Sequence, residues 1–80
     1  MDLKKAILDF LSVVHGSEPV TVWESLVEKE PELTKEQVLT ALQRMYVNGV
    51  LARSFVREEF RVNGSQYCYW LPEYYRGNPE

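Results

Sequence analysis

Hydrophobic residues near the amino terminus recur at helical spacing. Separations of three, four and seven positions place them on one stripe: Leu3, Ile7, Phe10, Leu11 and Val14. Residues at these separations lie on one face of an α-helix. Asp2 can cap the start of this helix, and Gly16 is typical of the position just past a helix end. The pattern predicts a first helix from Leu3 to Val14.

Two short sequences typical of helix starts follow, thirteen residues apart. Each has a threonine followed three positions later by Glu or Gln: Thr21-Val22-Trp23-Glu24 and Thr34-Lys35-Glu36-Gln37. In such a capping box, the hydroxyl and the later side chain each satisfy a backbone amide that the helix start leaves unpaired. We expect a second helix from Thr21 that stops before Pro31. A third helix follows the second box and runs to Asn48, where Gly49 closes it.

The apolar positions of these two helices indicate their buried faces. The second helix buries Val22 or Trp23, together with Leu26 and Val27. The third helix turns three apolar residues inward: Val38, Leu42 and Met45. Between the first and second helices, residues 18–21 are expected to be extended and to form a small edge strand, because Pro19 pushes the residue before it out of the helical region.

After Gly49 the pattern changes from helical to alternating. Residues 51–62 are rich in aromatic and β-branched side chains and arginine, and they predict a long strand. Asn63-Gly64 is a strong hairpin signal, since both positions of the turn need positive φ. The returning strand runs from Gln66 to Leu71 and stops at Pro72.

The predicted turn fixes which residues face each other across the hairpin. One face carries three pairs: Phe60 with Tyr67, Glu58 with Tyr69, and Val56 with Leu71. The other face carries Arg57 opposite Trp70 and Arg61 opposite Gln66. From Glu73 onward no periodicity remains, and only Tyr74 and Tyr75 are expected to pack back on the domain.

Composition limits the class of protein. Eighty residues, 45% of them hydrophobic, suffice for one small domain. Because the core of such a domain is small and its stability marginal, a homodimer through the first helix or the tail is a possible source of further stability. Cys68 is the one cysteine, and no apolar run is long enough for a membrane span. Asp9 interrupts the first apolar stretch, so we interpret it as a helix of the mature protein and not as a signal peptide. We expect a protein of the reducing cytoplasm.

Charge is unevenly distributed along the chain. The net charge is −3, which disfavours unselective binding to nucleic acid. Residues 1–40 hold four lysines against eight carboxylates, whereas residues 41–80 hold five arginines against four carboxylates. Every arginine therefore lies in the second half, and arginine has the forked geometry that suits phosphate and guanine.

The order of helix, short strand, helix, helix and long hairpin resembles the winged helix-turn-helix superfamily. The pattern from Val38 to Leu71, with Gly49-Val50-Leu51, Asn63-Gly64 and Tyr67-Cys68-Tyr69-Trp70, resembles small repressors. It is also similar to the amino-terminal domain of archaeal transcription factor E, whose wing likewise returns through an aromatic run into a proline. The resemblance implies an α+β domain over residues 1–72 with a tail at 73–80. Its third helix would enter the DNA major groove, and its hairpin would form the wing. The acidic second helix and the lack of a lysine-rich third helix depart from the repressor pattern.

The predicted DNA interface has two parts. With its apolar face inward, the third helix turns six residues outward: Glu36, Gln37, Thr40, Gln43, Arg44 and Val47. Gln and Arg pair bidentately with adenine and guanine, so four of the six are candidate DNA contacts: Gln37, Thr40, Gln43 and Arg44. Arg53, Arg57 and Arg61 share parity on one strand and form a candidate phosphate stripe, with Asn63 at the turn. The alternatives are a solvated helix face, and arginines that are held by Glu58, Glu59 and Trp70.

Other chemistry is weakly represented. The aromatic set could stack on single strands, although core and hairpin pairing also explains it: Trp23, Phe55, Phe60, Tyr67, Tyr69 and Trp70. His15 lacks companions for a metal site, and Cys68 lacks a base that would make it a nucleophile. The carboxylates show no paired arrangement, and no phosphate-binding glycine loop exists. We expect no enzyme activity, no cofactor and no metal.

Two functions remain open. The first is a DNA-binding transcriptional regulator. The second is a protein-interaction winged helix whose acidic second helix docks onto a basic partner, such as a transcription or replication assembly. A continuous positive surface joining the third helix to the wing favours DNA, and a continuous acidic or apolar patch favours protein.

Overall fold

A computed structural model describes residues 2–61 and 66–76. Three helices come first: α1 (Leu3–Val13), α2 (Pro19–Val27) and α3 (Lys35–Val47). Two antiparallel strands follow, β1 (Ala52–Phe55) and β2 (Tyr67–Trp70). Short 3₁₀ turns span Glu58–Phe60 and Pro72–Tyr74. The described part of the chain is thus an α+β domain with three helices and a two-stranded sheet.

Local capping explains where α1 and α3 begin. The Asp2 carboxylate accepts a hydrogen bond from the Lys5 amide at 3.1 Å. The Thr34 hydroxyl accepts one from the Gln37 amide at 3.1 Å, and the Gln37 side chain accepts one from the Thr34 amide at 2.9 Å. This reciprocal pair is the predicted capping box, so the expected start of α3 is confirmed. Gly49, with φ of +79°, follows its C-cap residue Asn48.

The predicted start of α2 is wrong. The helix begins at Pro19, and the supposed capping box at Thr21 lies inside it. Proline suits the first helical position because its φ is already helical and its missing amide would be unpaired there. Extended backbone, expected over residues 18–21, is limited to Ser17 and Glu18. The expected edge strand is reduced to a bridge in which the Ser17 and Tyr69 backbones exchange hydrogen bonds of 3.1 and 2.9 Å.

The predicted hairpin register is also wrong. β1 has four residues and ends at Phe55, which pairs with Tyr67, while Arg53 pairs with Tyr69. The expected pairs of these partners, Phe60 with Tyr67 and Glu58 with Tyr69, do not form. The other expected pairs fail with them: Val56 with Leu71, Arg57 with Trp70, and Arg61 with Gln66.

Burial explains the observed register. Tyr69 is 1% exposed, so the predicted register would turn the Glu58 carboxylate toward the core, which is costly for a charge. Glu58 instead lies in an exposed 3₁₀ turn. The Asn63-Gly64 turn lies outside the described residues.

One hydrophobic core joins the three helices to the sheet. Its buried members come from the three helices, from β2 and from positions next to the strands: Ile7, Leu11, Val22, Leu26, Val38, Leu42, Met45, Leu51, Tyr69 and Leu71. The expected inward face of α3 is therefore confirmed, and Val22, not Trp23, is the fully buried residue of its pair. Trp23 is half-buried and donates from its indole to the Leu33 carbonyl at 2.7 Å.

The carboxyl-terminal residues pack back as expected. Tyr74 stacks on His15 with ring centroids 3.8 Å apart, and Tyr75 meets Trp70 edge-on at 5.9 Å. In residues 2–61 and 66–76, none of the helices has the length and apolar character needed to cross a membrane.

Candidate nucleic-acid interface

The outer face of α3 carries polar groups that could contact a ligand. The six residues predicted to point outward are all exposed: Glu36, Gln37, Thr40, Gln43, Arg44 and Val47. The Gln37 carbonyl oxygen is committed to the capping box, which lowers its capacity to read a base edge. Among the described residues, no ion pair or hydrogen bond holds the Arg44 guanidinium. Thr40, Gln43 and Arg44 therefore form an accessible row, here called the α3 row.

The arginines of the hairpin do not form the predicted stripe. That prediction assumed one long strand, but β1 ends at Phe55. Only Arg53 lies on the strand, whereas Arg57 precedes the 3₁₀ turn and Arg61 follows it. Asn63, the fourth candidate of the hairpin, lies outside the described residues. Each arginine therefore has its own environment.

Arg53 is enclosed by tyrosines. Its guanidinium carbon lies 4.1 Å from the ring centroid of Tyr46 on α3 and 4.1 Å from that of Tyr67 on β2. A hydrogen bond with the Tyr69 side chain is the main cause that raises the pKa of Arg53 above its ordinary value. Because the guanidinium is engaged by these contacts, Arg53 links α3 to the sheet and is poorly placed to bind phosphate bidentately.

Arg57 and Arg61 keep more of their binding capacity. Arg57 forms an ion pair of 3.0 Å with Glu59, and both side chains are 56% exposed, so the pair is weak and can exchange partners. Arg61 donates from Nε to the Val56 carbonyl at 2.9 Å, which leaves its terminal nitrogens for another acceptor. The expected restraint by Trp70 does not occur, because Trp70 pairs with Ala52 while the guanidiniums of Arg57 and Arg61 lie over Phe60 and Phe55.

Aromatic rings and arginines form one connected surface beside α3. Five residues in successive contact define this aromatic–arginine surface: Tyr46, Arg53, Tyr67, Phe55 and Arg61. Phe55 meets Tyr67 edge-on at 6.1 Å, and the Arg61 guanidinium lies 5.3 Å from the Phe55 ring. Phe55 is 44% exposed and Tyr46 is 38% exposed. Sequence reasoning missed Tyr46, although it directly follows the inward position Met45.

The rest of the predicted aromatic set divides by burial. Tyr69 belongs to the core, while Trp23 and Trp70 make half-buried hydrogen bonds. Phe60 is 52% exposed, with the Arg57 guanidinium 5.9 Å from its ring. Hairpin pairing therefore accounts for Phe55, which pairs with Tyr67, although the ring stays 44% exposed. Neither the core nor strand pairing accounts for Phe60, which lies in the 3₁₀ turn.

A second surface, of opposite charge, lies at the start of α3. An open groove of about 730 Å³ is bounded by the beginning of α1, the α2–α3 connection and the first turns of α3. Its apolar lining comprises Leu3, Leu33 and Ala41, and its carboxylates are Glu30, Glu32 and Glu36. The outer face of α3 completes the lining with Gln37, Thr40 and Arg44, so the groove shares residues with the α3 row. We call it the acidic groove. The expected acidic second helix is mostly this connection, because α2 ends at Val27 and carries only Glu24.

His15 and Cys68 have structural environments. His15 forms a hydrogen bond of 3.1 Å with the Ser12 carbonyl in addition to its stack on Tyr74. Burial, and secondarily the nearby Glu18 carboxylate, raises the pKa of the Cys68 thiol. A thiol with a raised pKa is a poor nucleophile at neutral pH. Within the described part of the chain, no three His, Cys, Asp or Glu side chains lie together as metal ligands.

Helix α3 contributes to two chemically different surfaces. Thr40 and Arg44 of the α3 row also line the acidic groove, and Tyr46 joins α3 to the aromatic–arginine surface. No protein-family model, no curated protein and no solved structure matches the chain.

Proposed function

We propose that the chain is a winged-helix module that binds duplex DNA through the α3 row and the arginines of the hairpin. The observation that carries this proposal is the exposed α3 row, in which the Arg44 guanidinium is unengaged by any described residue. Glutamine and arginine are the side chains that pair bidentately with adenine and guanine in the major groove. An exposed helix of thirteen residues fits that groove.

Local charge supports the same surface. Residues 35–61, which include α3 and β1, carry five basic and three acidic side chains, a net charge of +2. The whole chain has a net charge of −3, so the remaining residues are strongly acidic. A protein with this asymmetry approaches a polyanion with its basic side first, because the acidic side is repelled.

The environment of each side chain suggests its role in the proposed interface. Gln43 and Arg44 are the base-reading candidates, with Thr40 beside them. Arg57 and Arg61 are the phosphate-binding candidates, because one is exposed and the other retains free terminal nitrogens. Arg53 has a positioning role instead, since its contacts with Tyr46 and Tyr67 hold the hairpin against α3.

A pair of arginine substitutions tests this proposal. Arg44→Ala should weaken binding to a labelled duplex and reduce discrimination at one base pair by about 1 to 3 kcal/mol, because Arg44 is a base-reading candidate. Arg76→Ala is the matched control: it removes the same charge from an exposed residue of the tail, and its only recorded contact in the described part is a 3.4 Å hydrogen bond to the Tyr74 carbonyl. Equal losses from both substitutions, measured by fluorescence anisotropy, would show that only net charge matters and would overturn the proposed interface.

Base reading has a separate test. Gln43→Ala should reduce discrimination at one base pair by about 1 to 3 kcal/mol while leaving the salt slope near its original value. A panel of duplexes selected from a random pool provides the measurement. An unchanged preference at every position would remove Gln43 from the base-reading row.

The acidic groove favours a second candidate function, docking of a basic protein segment. Three carboxylates surround an apolar lining there, and Arg44 on the rim is the one cation of the described lining. A segment with lysines around a leucine would match both features. Glu32→Gln combined with Glu36→Gln should weaken binding of a labelled Lys-Leu-Lys-Leu-Lys peptide while preserving or strengthening duplex binding. Loss of both activities, with the fold intact by circular dichroism, would show that duplex binding also needs these carboxylates and would contradict the proposed division of roles.

A further inference from the structure

The aromatic–arginine surface exposes rings that duplex recognition does not need. Major-groove reading uses polar side chains, and phosphate binding uses cations. Neither explains why Phe55, Tyr46 and Phe60 remain 44%, 38% and 52% exposed beside those groups. The core does not account for them either, because Val56 and Tyr69 fill the buried positions of the same hairpin.

We propose that the aromatic–arginine surface, together with Phe60 and Arg57, binds an unpaired strand of nucleic acid. The proposal deepens the proposed nucleic-acid function but depends on different residues from the α3 row. Bases would stack on Phe55 and Phe60, and the strand's phosphates would bind Arg57 and Arg61.

The pairing of rings with cations is the main support. Each exposed ring lies close to one guanidinium: Tyr46 to Arg53 at 4.1 Å, Phe55 to Arg61 at 5.3 Å, and Phe60 to Arg57 at 5.9 Å. A single strand presents alternating flat bases and phosphates, so a surface that alternates rings and cations matches it in both shape and charge. In duplex DNA the same bases are stacked and inaccessible to these rings.

Rigidity adds to the fit. Phe55 packs edge-on against Tyr67, and Tyr67 is in turn in contact with Arg53, so neighbouring side chains restrict the Phe55 ring on one side. A ring that is already held in place loses little conformational freedom when a base stacks on it, so more of the stacking energy appears as affinity. Glu58 and Glu59 are the opposing feature, because their exposed carboxylates repel phosphate at the same turn.

The experiment compares an oligothymidylate of about 15 nucleotides, an oligouridylate of the same length and a duplex, by fluorescence anisotropy at about 50 mM salt. Phe55→Ala should weaken binding to oligothymidylate by about 5- to 150-fold, the range that stacking on one base supplies. Phe55→Trp should retain binding to oligothymidylate, whereas Phe55→Leu, which is apolar but not aromatic, should weaken it as alanine does. Glu58→Gln with Glu59→Gln should strengthen it. The uridylate arm shows whether RNA is also accepted.

Tyr75→Ala is the matched control, because Tyr75 is 43% exposed but contacts Trp70 outside this surface. It should leave oligothymidylate binding unchanged. Arg44→Ala should weaken binding to the duplex more than binding to the single strand. If the wild-type protein bound single strands but not the duplex, the proposed duplex binding would be wrong and this inference would stand. The inference would be overturned if the wild-type protein bound neither single strand, or if the Phe55→Ala variant bound them with wild-type affinity. Self-association that depends on Phe55, detected by sedimentation without binding to either strand, would also overturn it and assign the surface to a second copy of the chain.

Discussion

Replacing Arg53 with methionine separates a structural arginine from one that binds phosphate. The substitution keeps an unbranched side chain but removes the guanidinium that lies 4.1 Å from both the Tyr46 and Tyr67 rings. It also removes the favourable electrostatic interaction with Tyr69, a side chain that is only 1% exposed. We expect a substantial loss of stability, because one change breaks contacts with three residues from two elements.

The magnitude follows from those contacts. A partly exposed cation–π contact contributes about 0.5 to 1 kcal/mol. Two such contacts are lost, one with Tyr46 and one with Tyr67. Since they share one guanidinium and are not fully additive, Arg53→Met should lower the free energy of unfolding by about 1 to 2 kcal/mol.

Urea denaturation of Arg53→Met and Arg57→Met provides the measurement. Arg57→Met is the control, because its ion pair with Glu59 is exposed and is worth about 0 to 1 kcal/mol. Arg53→Lys should fall between them, since it keeps the charge but loses the planar fork. If Arg53→Met changed stability by less than about 0.5 kcal/mol but weakened DNA binding, Arg53 would be a ligand contact and the structural role would be refuted.

Three further predictions concern the fold. Leu42→Ala should cost about 2 to 5 kcal/mol in urea denaturation, because Leu42 is fully buried on α3; a change within about 0.5 kcal/mol would show that the wrong face is inward. Gly16 and Gly49 both have φ of +79°, so alanine at Gly49, where nothing lies within 4 Å of a new Cβ, should cost about 1 to 2 kcal/mol from backbone strain alone. Alanine at Gly16 should cost more, because the new Cβ would lie 2.7 Å from the Trp70 ring; equal melting temperatures for the two variants would contradict that contact. Cys68 should react slowly with iodoacetamide at pH 8 until the protein is unfolded, and fast alkylation of the folded protein would contradict its raised pKa. Because the folded state holds the thiol proton to higher pH, the contribution of Cys68 to stability should fall as pH rises past the ordinary thiol pKa.

Local signals predicted the helices well where one signal stood alone. The box at Thr34 has no competitor, and α3 begins there. The box at Thr21 has the same chemistry but lies two residues after Pro19, which is also a strong start signal. When two compatible start signals lie in one segment, tertiary packing decides which residue begins the helix, and α2 begins at the earlier one.

The hairpin shows where local signals fail. Asn63-Gly64 is a strong turn signal, but the register of a hairpin also depends on which face is buried. Tyr69 is fixed from its other side by the bridge to Ser17, a contact between residues far apart in the sequence. Parity along one strand could not reveal this constraint, so the arginine stripe derived from it was wrong.

The sequence predicted which single residues of the candidate site are exposed, but not how those residues contact one another. The outward positions of α3 follow from helical periodicity, and all six are exposed as expected. The contacts of Arg53 with Tyr46 and Tyr67, and the acidic groove beside Leu3, join elements that are distant in the chain. Their existence depends on packing geometry, which sequence periodicity does not specify.

The proposed DNA interface is tested most directly by a salt titration of binding to a random duplex. The proposal assigns two cations to phosphate, Arg57 and Arg61. Each neutralised phosphate contributes about −0.9 to the slope of log affinity against log salt, so we predict a slope of about −1.8 and about 12-fold weaker binding between about 50 and 200 mM salt. No change of anisotropy at about 50 mM salt with tens of micromolar protein, or an affinity that does not depend on salt, would contradict the proposal and favour docking of a protein segment in the acidic groove.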